Sequence, residues 1–174
     1  QGIIGFNDSE QRVWIANSEG MFKHELRVYS RFRVSAVASN GKENQTGSRS
    51  PGALCGFELF DSLVDPEACA RQAADEAIEM LHAPFCPAGV MPVVIGNGFG
   101  GVIFHEACGH SLEATSVAVG NSEFCGKLGQ KIASDKVTAI DDGTMPNEWG
   151  SENIDDEGTP TNRLVLIEKG VLKN

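Results

Sequence analysis

Phe22-Lys23-His24-Glu25-Leu26-Arg27-Val28-Tyr29, continued by Arg31-Phe32-Arg33-Val34-Ser35-Ala36-Val37-Ala38, is the stretch whose reading decides the fold. Phe22, His24, Leu26 and Val28 alternate with Lys23, Glu25, Arg27 and Tyr29; then Phe32, Val34, Ala36 and Ala38 alternate with Arg31, Arg33, Ser35 and Val37. Period two over this length predicts antiparallel sheet with one buried face. His24 falls on the apolar phase, which predicts a packed or edge histidine rather than a ligand. Working outward, Asn17-Ser18-Glu19-Gly20 and Asn40-Gly41 are turn signals between runs, so residues 1 to 60 read as mostly strand. The polar tract from Gly41 to Gly52 reads as a hairpin tip or connecting loop.

A helix follows. Asp65 is its N-cap and Pro66 its first residue, with Glu67 near the positive end of the dipole. Ala70, Ala73, Ala74, Ala77, Ile78 and Leu81 recur at helical spacing and predict a narrow apolar stripe packed on the preceding sheet. Pro84 bounds the element. The proline- and glycine-rich segment from Phe85 to Pro92 is the best domain boundary, giving a sheet-plus-helix region over 1–84 and a second region over 85–174. The fold class is therefore α+β: mainly antiparallel sheet with a packed helix, then the start of a second α+β domain.

In that second region Val93-Val94-Ile95 reads as a short buried strand, followed by Gly96-Asn97-Gly98-Phe99-Gly100-Gly101. These glycines satisfy GxGxxG, but no second strand ending in an acidic residue follows about 20 residues later, as a dinucleotide site requires. Instead the chain enters Gly101-Val102-Ile103-Phe104-His105-Glu106-Ala107-Cys108-Gly109-His110-Ser111-Leu112-Glu113. Two imidazoles on one short element can share a divalent cation, and a neighbouring Glu can take a proton from a metal-activated water. The spacing is HExxxH, one residue longer than the HExxH of zinc peptidases. In a regular helix residues i and i+5 lie roughly 140° apart, against roughly 40° for i and i+4. A metal site at His105 and His110 thus requires a local π-type widening, for which Gly109 supplies backbone freedom. Glu113 reads either as an acceptor orienting an imidazole or substituting as a ligand, or as a solvated helix residue.

The stretch resembles the TldD/PmbA family of metallopeptidases, on the TldD side, which has HEAxGHxLE where the PmbA (TldE) side lacks the metal motif. The resemblance continues through Gly126-Lys127-Leu128-Gly129, Asp141-Asp142-Gly143-Thr144-Met145, Ile154-Asp155-Asp156-Glu157-Gly158-Thr159-Pro160 and Val165-Leu166-Ile167-Glu168-Lys169-Gly170. It implies a zinc-dependent endopeptidase acting on unfolded or leader-type peptides, with a TldE/PmbA-type partner subunit or a homo-oligomeric assembly. His105 and His110 would be the metal ligands and Glu106 the general base. The family's third protein ligand is a cysteine that would lie beyond Asn174, so the chain reads as an internal fragment. The rival expectation is a non-catalytic peptide-binding or subunit-assembly module.

Composition bounds these readings. A formal net charge of −10 over 174 residues disfavours direct nucleic-acid contact, which needs clustered cations. No apolar run is long enough to cross a membrane, and the chain begins with Gln1 and no signal-like segment. Cys55, Cys69, Cys86, Cys108 and Cys125 are odd in number and show no CxxC pair, which fits reduced thiols in a cytoplasmic protein. Lys136 to Ile140 and Arg163 to Glu168 read as strands, the latter turning at Lys169-Gly170. Asp141, Asp142, Asp155, Asp156 and Glu157 lack the EF-hand register and read as Asx-type turns. The acidic stretch from Glu148 to Glu157 reads as a solvated loop.

Overall fold

The long alternating run forms one strand in the computed structural model, which describes residues 1–174. Strand β2 (Phe22–Ser39) pairs antiparallel with β1 (Gly2–Ala16) along the whole length of β1, then with β3 (Asn44–Arg49) and β4 (Gly52–Ala53). Both predicted turns are built as the sequence suggests. Gly20 and Gly41 adopt φ of 89° and 85°, open to glycine without a Cβ penalty. Asn17 Oδ1 accepts from the N–H groups of Glu19 and Met21, and Asn40 Oδ1 from those of Lys42 and Glu43.

The tract from Gly41 to Gly52 is not a loop: it contains β3 and the start of β4. Its polarity misleads because β3 presents Gly47 to a helix rather than a large apolar residue. Helix α1 (Leu59–Ser62) and helix α2 (Pro66–His82) follow. Asp65 caps α2 through Oδ1, which accepts from Glu67 N at 2.9 Å and Ala68 N at 3.1 Å. Ala73 and Ala77 are the fully buried residues of the stripe, and they lie where α2 crosses Gly47; an added Cβ there would stand 2.8 Å from Ala77 N. Small residues on both sides let helix and strand approach closely. Phe32, Val34, Leu59, Val64 and Ala73 form the core, with Phe6 and Phe60 packed against it at ring centroids 5.3 Å apart.

The single-buried-face expectation for β2 fails in its first half. Phe22 and Leu26 are 68% and 52% exposed, whereas Glu25 and Arg27 are 8% and 5% exposed. The helices cover the even-numbered face only from Ser30 onward. Over the earlier residues it is the odd-numbered face that is covered, by Gly143–Asn162 folding back from far along the chain. Arg27 reaches Glu25 Oε2 at 2.9 Å, the Ile154 carbonyl at 2.9 Å, Glu152 at 3.2 Å and Asp156 at 3.3 Å. The other Glu25 oxygen accepts from the N–H and side-chain amide of Asn153 at 2.6 and 2.8 Å. His24, on the uncovered phase, is exposed.

Contacts divide the chain into two units, Gln1–Cys86 with Gly143–Asn162, and Pro87–Asp142 with Arg163–Asn174. The second unit holds an antiparallel sheet of β5 (Ala139–Asp142), β6 (Arg163–Glu168) and β7 (Val171–Leu172). Lys169 and Gly170, at φ of 46° and 80°, make the tight turn between β6 and β7. Ala139, Ile167 and Leu172 form its core, packed by Leu112, Phe124, Ile132 and Val137. Two expectations are corrected in this unit. Val93, Val94 and Ile95 form no strand and are 72%, 101% and 51% exposed, because no neighbouring strand pairs with them. Asp141 and Asp142 belong to β5 rather than to a turn. Asp155 in the first unit is the Asx-type turn, its Oδ1 accepting from the N–H groups of Glu157 and Thr159.

Candidate metal centre

The glycine segment enters a 3-10 turn at Gly98–Gly101 and then a helix whose pitch changes twice. Helix α3 (Val102–Phe104) passes into a π-turn over His105–Gly109 and returns to helix α4 (His110–Leu112). The widening has a specific signature: the His110 N–H donates to the carbonyl of His105, five residues back. Inserting that extra residue into the turn brings His105 and His110, which a regular helix would splay, to the same side. Their rings lie 4.3 Å apart between centroids at an interplanar angle of 66°. Gly109 lies beneath, where an added Cβ would meet His105 Nδ1 at 3.2 Å.

Potential ligand atoms of His105, Glu106 and His110 all lie within 4.8 Å of one another, and the three side chains are exposed. Two imidazoles and a carboxylate are a donor set suited to zinc, which takes nitrogen and oxygen ligands at about 2.0–2.2 Å. Cys108, on the same turn, is not among them; with Ile95, Ile103 and Phe104 it lines an open apolar groove along the helix. His24 and His82 lie outside the cluster. His82 Nδ1 sits 2.8 Å from the Ile78 carbonyl at the end of α2, a complete structural account of that residue.

Glu113 is half exposed yet lies against the site. Its Oε1 lies 2.9 Å from His110 Nδ1, so it faces the imidazole rather than solvent alone. Glu106 Oε2 lies 3.8 Å from the other ring nitrogen, Nε2. The hydrogen bond to Glu113, reinforced by the charges of Glu113 and Glu106, holds the His110 imidazolium above the ordinary histidine range.

The unit's core anchors the downstream end of this helix. Leu112 packs against the Ala139, Ile167 and Leu172 cluster, and the Ser122 hydroxyl donates to the Ser111 carbonyl. At Glu113 the backbone turns extended, with ψ of 131°, and helix α5 (Ala114–Ala118) begins in a new direction.

Two family profiles match the chain in succession: the PmbA/TldA metallopeptidase central domain over residues 1–81 and the C-terminal domain over residues 88–174. A metalloprotease TldD homolog from Haemophilus influenzae is 36% identical over 167 residues, covering 94% of this chain and 35% of that protein. A metalloprotease from Methanothermobacter thermautotrophicus is 37% identical over 169 residues, covering 97% of this chain and 37% of its own length. The chain thus spans about a third of the length of these curated relatives. Among solved structures, a Thermotoga maritima protein described as a candidate modulator of a DNA gyrase superposes with a TM-score of 0.82 at 26% identity, over 98% of this chain and 38% of that one. TldE from Thermococcus kodakarensis shares the fold, with a TM-score of 0.70 at 21% identity over 99% of this chain and 38% of that one.

Proposed function

Because the chain belongs to the PmbA/TldA metallopeptidase family, we propose that it supplies two metal ligands and the general base of a zinc-dependent endopeptidase acting on unfolded or leader-type peptides. The observation that supports this most is the π-turn, which sets His105 and His110 side by side with Glu106 between them in sequence. His105 and His110 would hold the cation, with the further protein ligand that the family resemblance implies. A divalent cation bound there would supply Lewis-acid polarisation of a peptide carbonyl and a water acidified toward neutral pH. Glu106 accepts the proton released on attack and delivers it to the departing amine. The regions read from the sequence as 1–84 and 85–174, close to the family matches over 1–81 and 88–174, would divide the work: the second holds the helix of the centre, and the first is sheet with an exposed strand edge suited to main-chain pairing with an extended peptide. Such pairing reads backbone more than side chains and suits substrates of varied sequence.

The assembly partner is a family member of the PmbA (TldE) type or a second copy of the same protein. Nucleic acid is not a direct ligand in this reading, since the formal charge of −10 opposes phosphate contact.

Elemental analysis and peptide turnover in the full-length protein test the proposal, with His105→Ala, His110→Ala and Glu106→Gln as variants. The expected result is about one zinc per chain in wild type and Glu106→Gln, little in either histidine variant, and turnover in wild type alone. Peptide binding that survives both EDTA and His105→Ala, with no turnover in any form, would favour a non-catalytic binding or assembly module.

A further inference from the structure

We propose that Glu113 is the positioning residue of this centre, holding His110 in the tautomer that leaves Nε2 free for the cation. The inference rests on the assignment of His110 as a ligand and adds to it a residue outside the HExxxH motif. An ionised carboxylate can only accept, so the contact at 2.9 Å requires the proton of a neutral His110 to sit on Nδ1. Nε2 then presents its lone pair. Glu106 does not compete for it, because its nearer oxygen stays 3.8 Å away, beyond hydrogen-bonding distance.

The backbone at Glu113 supports the same role. With ψ of 131° it closes α4 and precedes α5, a position from which a side chain could cap the new helix, yet Glu113 makes no side-chain cap. The N–H groups of Ser116 and Val117 bond to the Glu113 carbonyl instead, at 3.0 and 3.1 Å. With a helical φ of −60° Glu113 keeps the register of α4 up to its own Cα, so its side chain lies on the same face as His110 three residues earlier, and the carboxylate, free of any cap, bonds back over that turn. The two acidic residues of the site thus have separate duties. Glu106 faces the side where the cation and water would lie, and Glu113 sets the orientation and proton of a ligand, as carboxylates behind metal-binding imidazoles commonly do.

Two readouts besides activity test this in the full-length protein: zinc affinity by competition with a chromophoric chelator, and the His110 tautomer by imidazole 15N NMR of the metal-free form. Glu113→Ala should weaken zinc binding by about ten- to a hundredfold and move His110 toward the Nε2–H form. Glu113→Gln, whose amide oxygen can still accept from Nδ1–H, should keep the tautomer and lose less affinity; because it preserves side-chain size, it also controls for misfolding. Wild-type affinity and an unchanged tautomer in Glu113→Ala would overturn the proposal. So would the loss of one oxygen ligand from the zinc absorption spectrum of Glu113→Gln, which would make Glu113 a direct ligand. Undiminished zinc binding by His110→Ala is a distinct result: it removes the metal-centre assignment itself, and the positioning role with it.

Discussion

A methyl group added at Gly109 would stand 3.2 Å from His105 Nδ1 and 3.6 Å from Cγ of the same ring, so the imidazole must yield by a few tenths of an ångström. Alanine is also a better helix former than glycine by about 1 kcal/mol. Gly109→Ala should therefore leave thermal stability unchanged or slightly raised while weakening zinc binding; equal affinity in a chelator competition would show that the ring has room to spare. At Gly47 the same substitution has the opposite balance. Its Cβ would meet the Ala73 carbonyl, Ala77 N at 2.8 Å and Glu76 Cβ at 2.9 Å, and helix backbone cannot swing aside as a side-chain tip can. Gly47→Ala should cost about 1 to 3 kcal/mol in urea denaturation, the usual penalty of overpacking. A midpoint equal to wild type would mean that α2 slides freely on β3. Neither neighbour is visible in the sequence, where Gly47 is one residue in a polar tract and Gly109 one of several helix-breaking glycines.

Glu25 and Arg27 give β2 an acid-sensitive face. Burial pushes the Glu25 carboxyl up, but the Asn153 N–H, the Arg27 guanidinium and the Asn153 side chain together hold it below the ordinary carboxylate range. A group whose folded pKa is depressed contributes stability that is complete above its unfolded value, 4.5 for this carboxyl, and is lost as pH falls from there through the folded value. The wild type should thus lose stability on acidification below about pH 4.5 more steeply than Glu25→Gln, as followed by urea midpoints across that range. Parallel slopes would show that Glu25 titrates alike in both states. Arg27→Ala removes one member of a buried pair and should destabilise at neutral pH by about 3 kcal/mol. The same element shows how far the sequence could be read. Its period of two identified a long antiparallel strand, and the turns at both ends of β2 and the cap of α2 were legible because Asn17, Gly20, Asn40, Gly41 and Asp65 act on neighbours within a few residues. Which face is buried depends on what lies over it. For Phe22 to Tyr29 that is a segment more than a hundred residues away, so the alternation predicts the apolar phase inward whereas the charged phase is the one covered. Val93-Val94-Ile95 misled for the same reason, since an apolar run forms a strand only beside a partner. At the candidate site the HExxxH spacing sufficed to require a widened turn, and the π-turn over His105–Gly109 meets that requirement. The direction of the Glu113 carboxylate was not legible, because a spacing of three residues from His110 allows contact while the side-chain rotamer decides it.

Across the whole chain, compact units do not follow sequence order. Gly143–Asn162 belongs with Gln1–Cys86, although the residues flanking it on both sides belong with the unit that holds the π-turn. Its attachment is polar rather than greasy. Ile154 is its buried apolar residue, and around it lie the Arg27 contacts to Glu152 and Asp156, the Asn153 pair to Glu25, and the Trp149 ring 4.4 Å from the Arg31 guanidinium. A docking of this kind depends on a few strongly coupled groups, so losing one should loosen the segment cooperatively. Hydrogen exchange on the intact protein can resolve this. Arg27→Ala should raise exchange together in residues 143–162 and in the Phe22–Tyr29 part of β2, and leave the amides of β6, β7 and residues 130–133 at wild-type rates. The latter group is tied within its own unit, by Ile132 N to the Gly170 carbonyl and Leu172 N to the Gln130 carbonyl at 2.8 and 3.0 Å. A uniform rise across both groups would mean that the two units open as one, and that the polar lock at Arg27 stabilises the whole chain rather than the segment it covers.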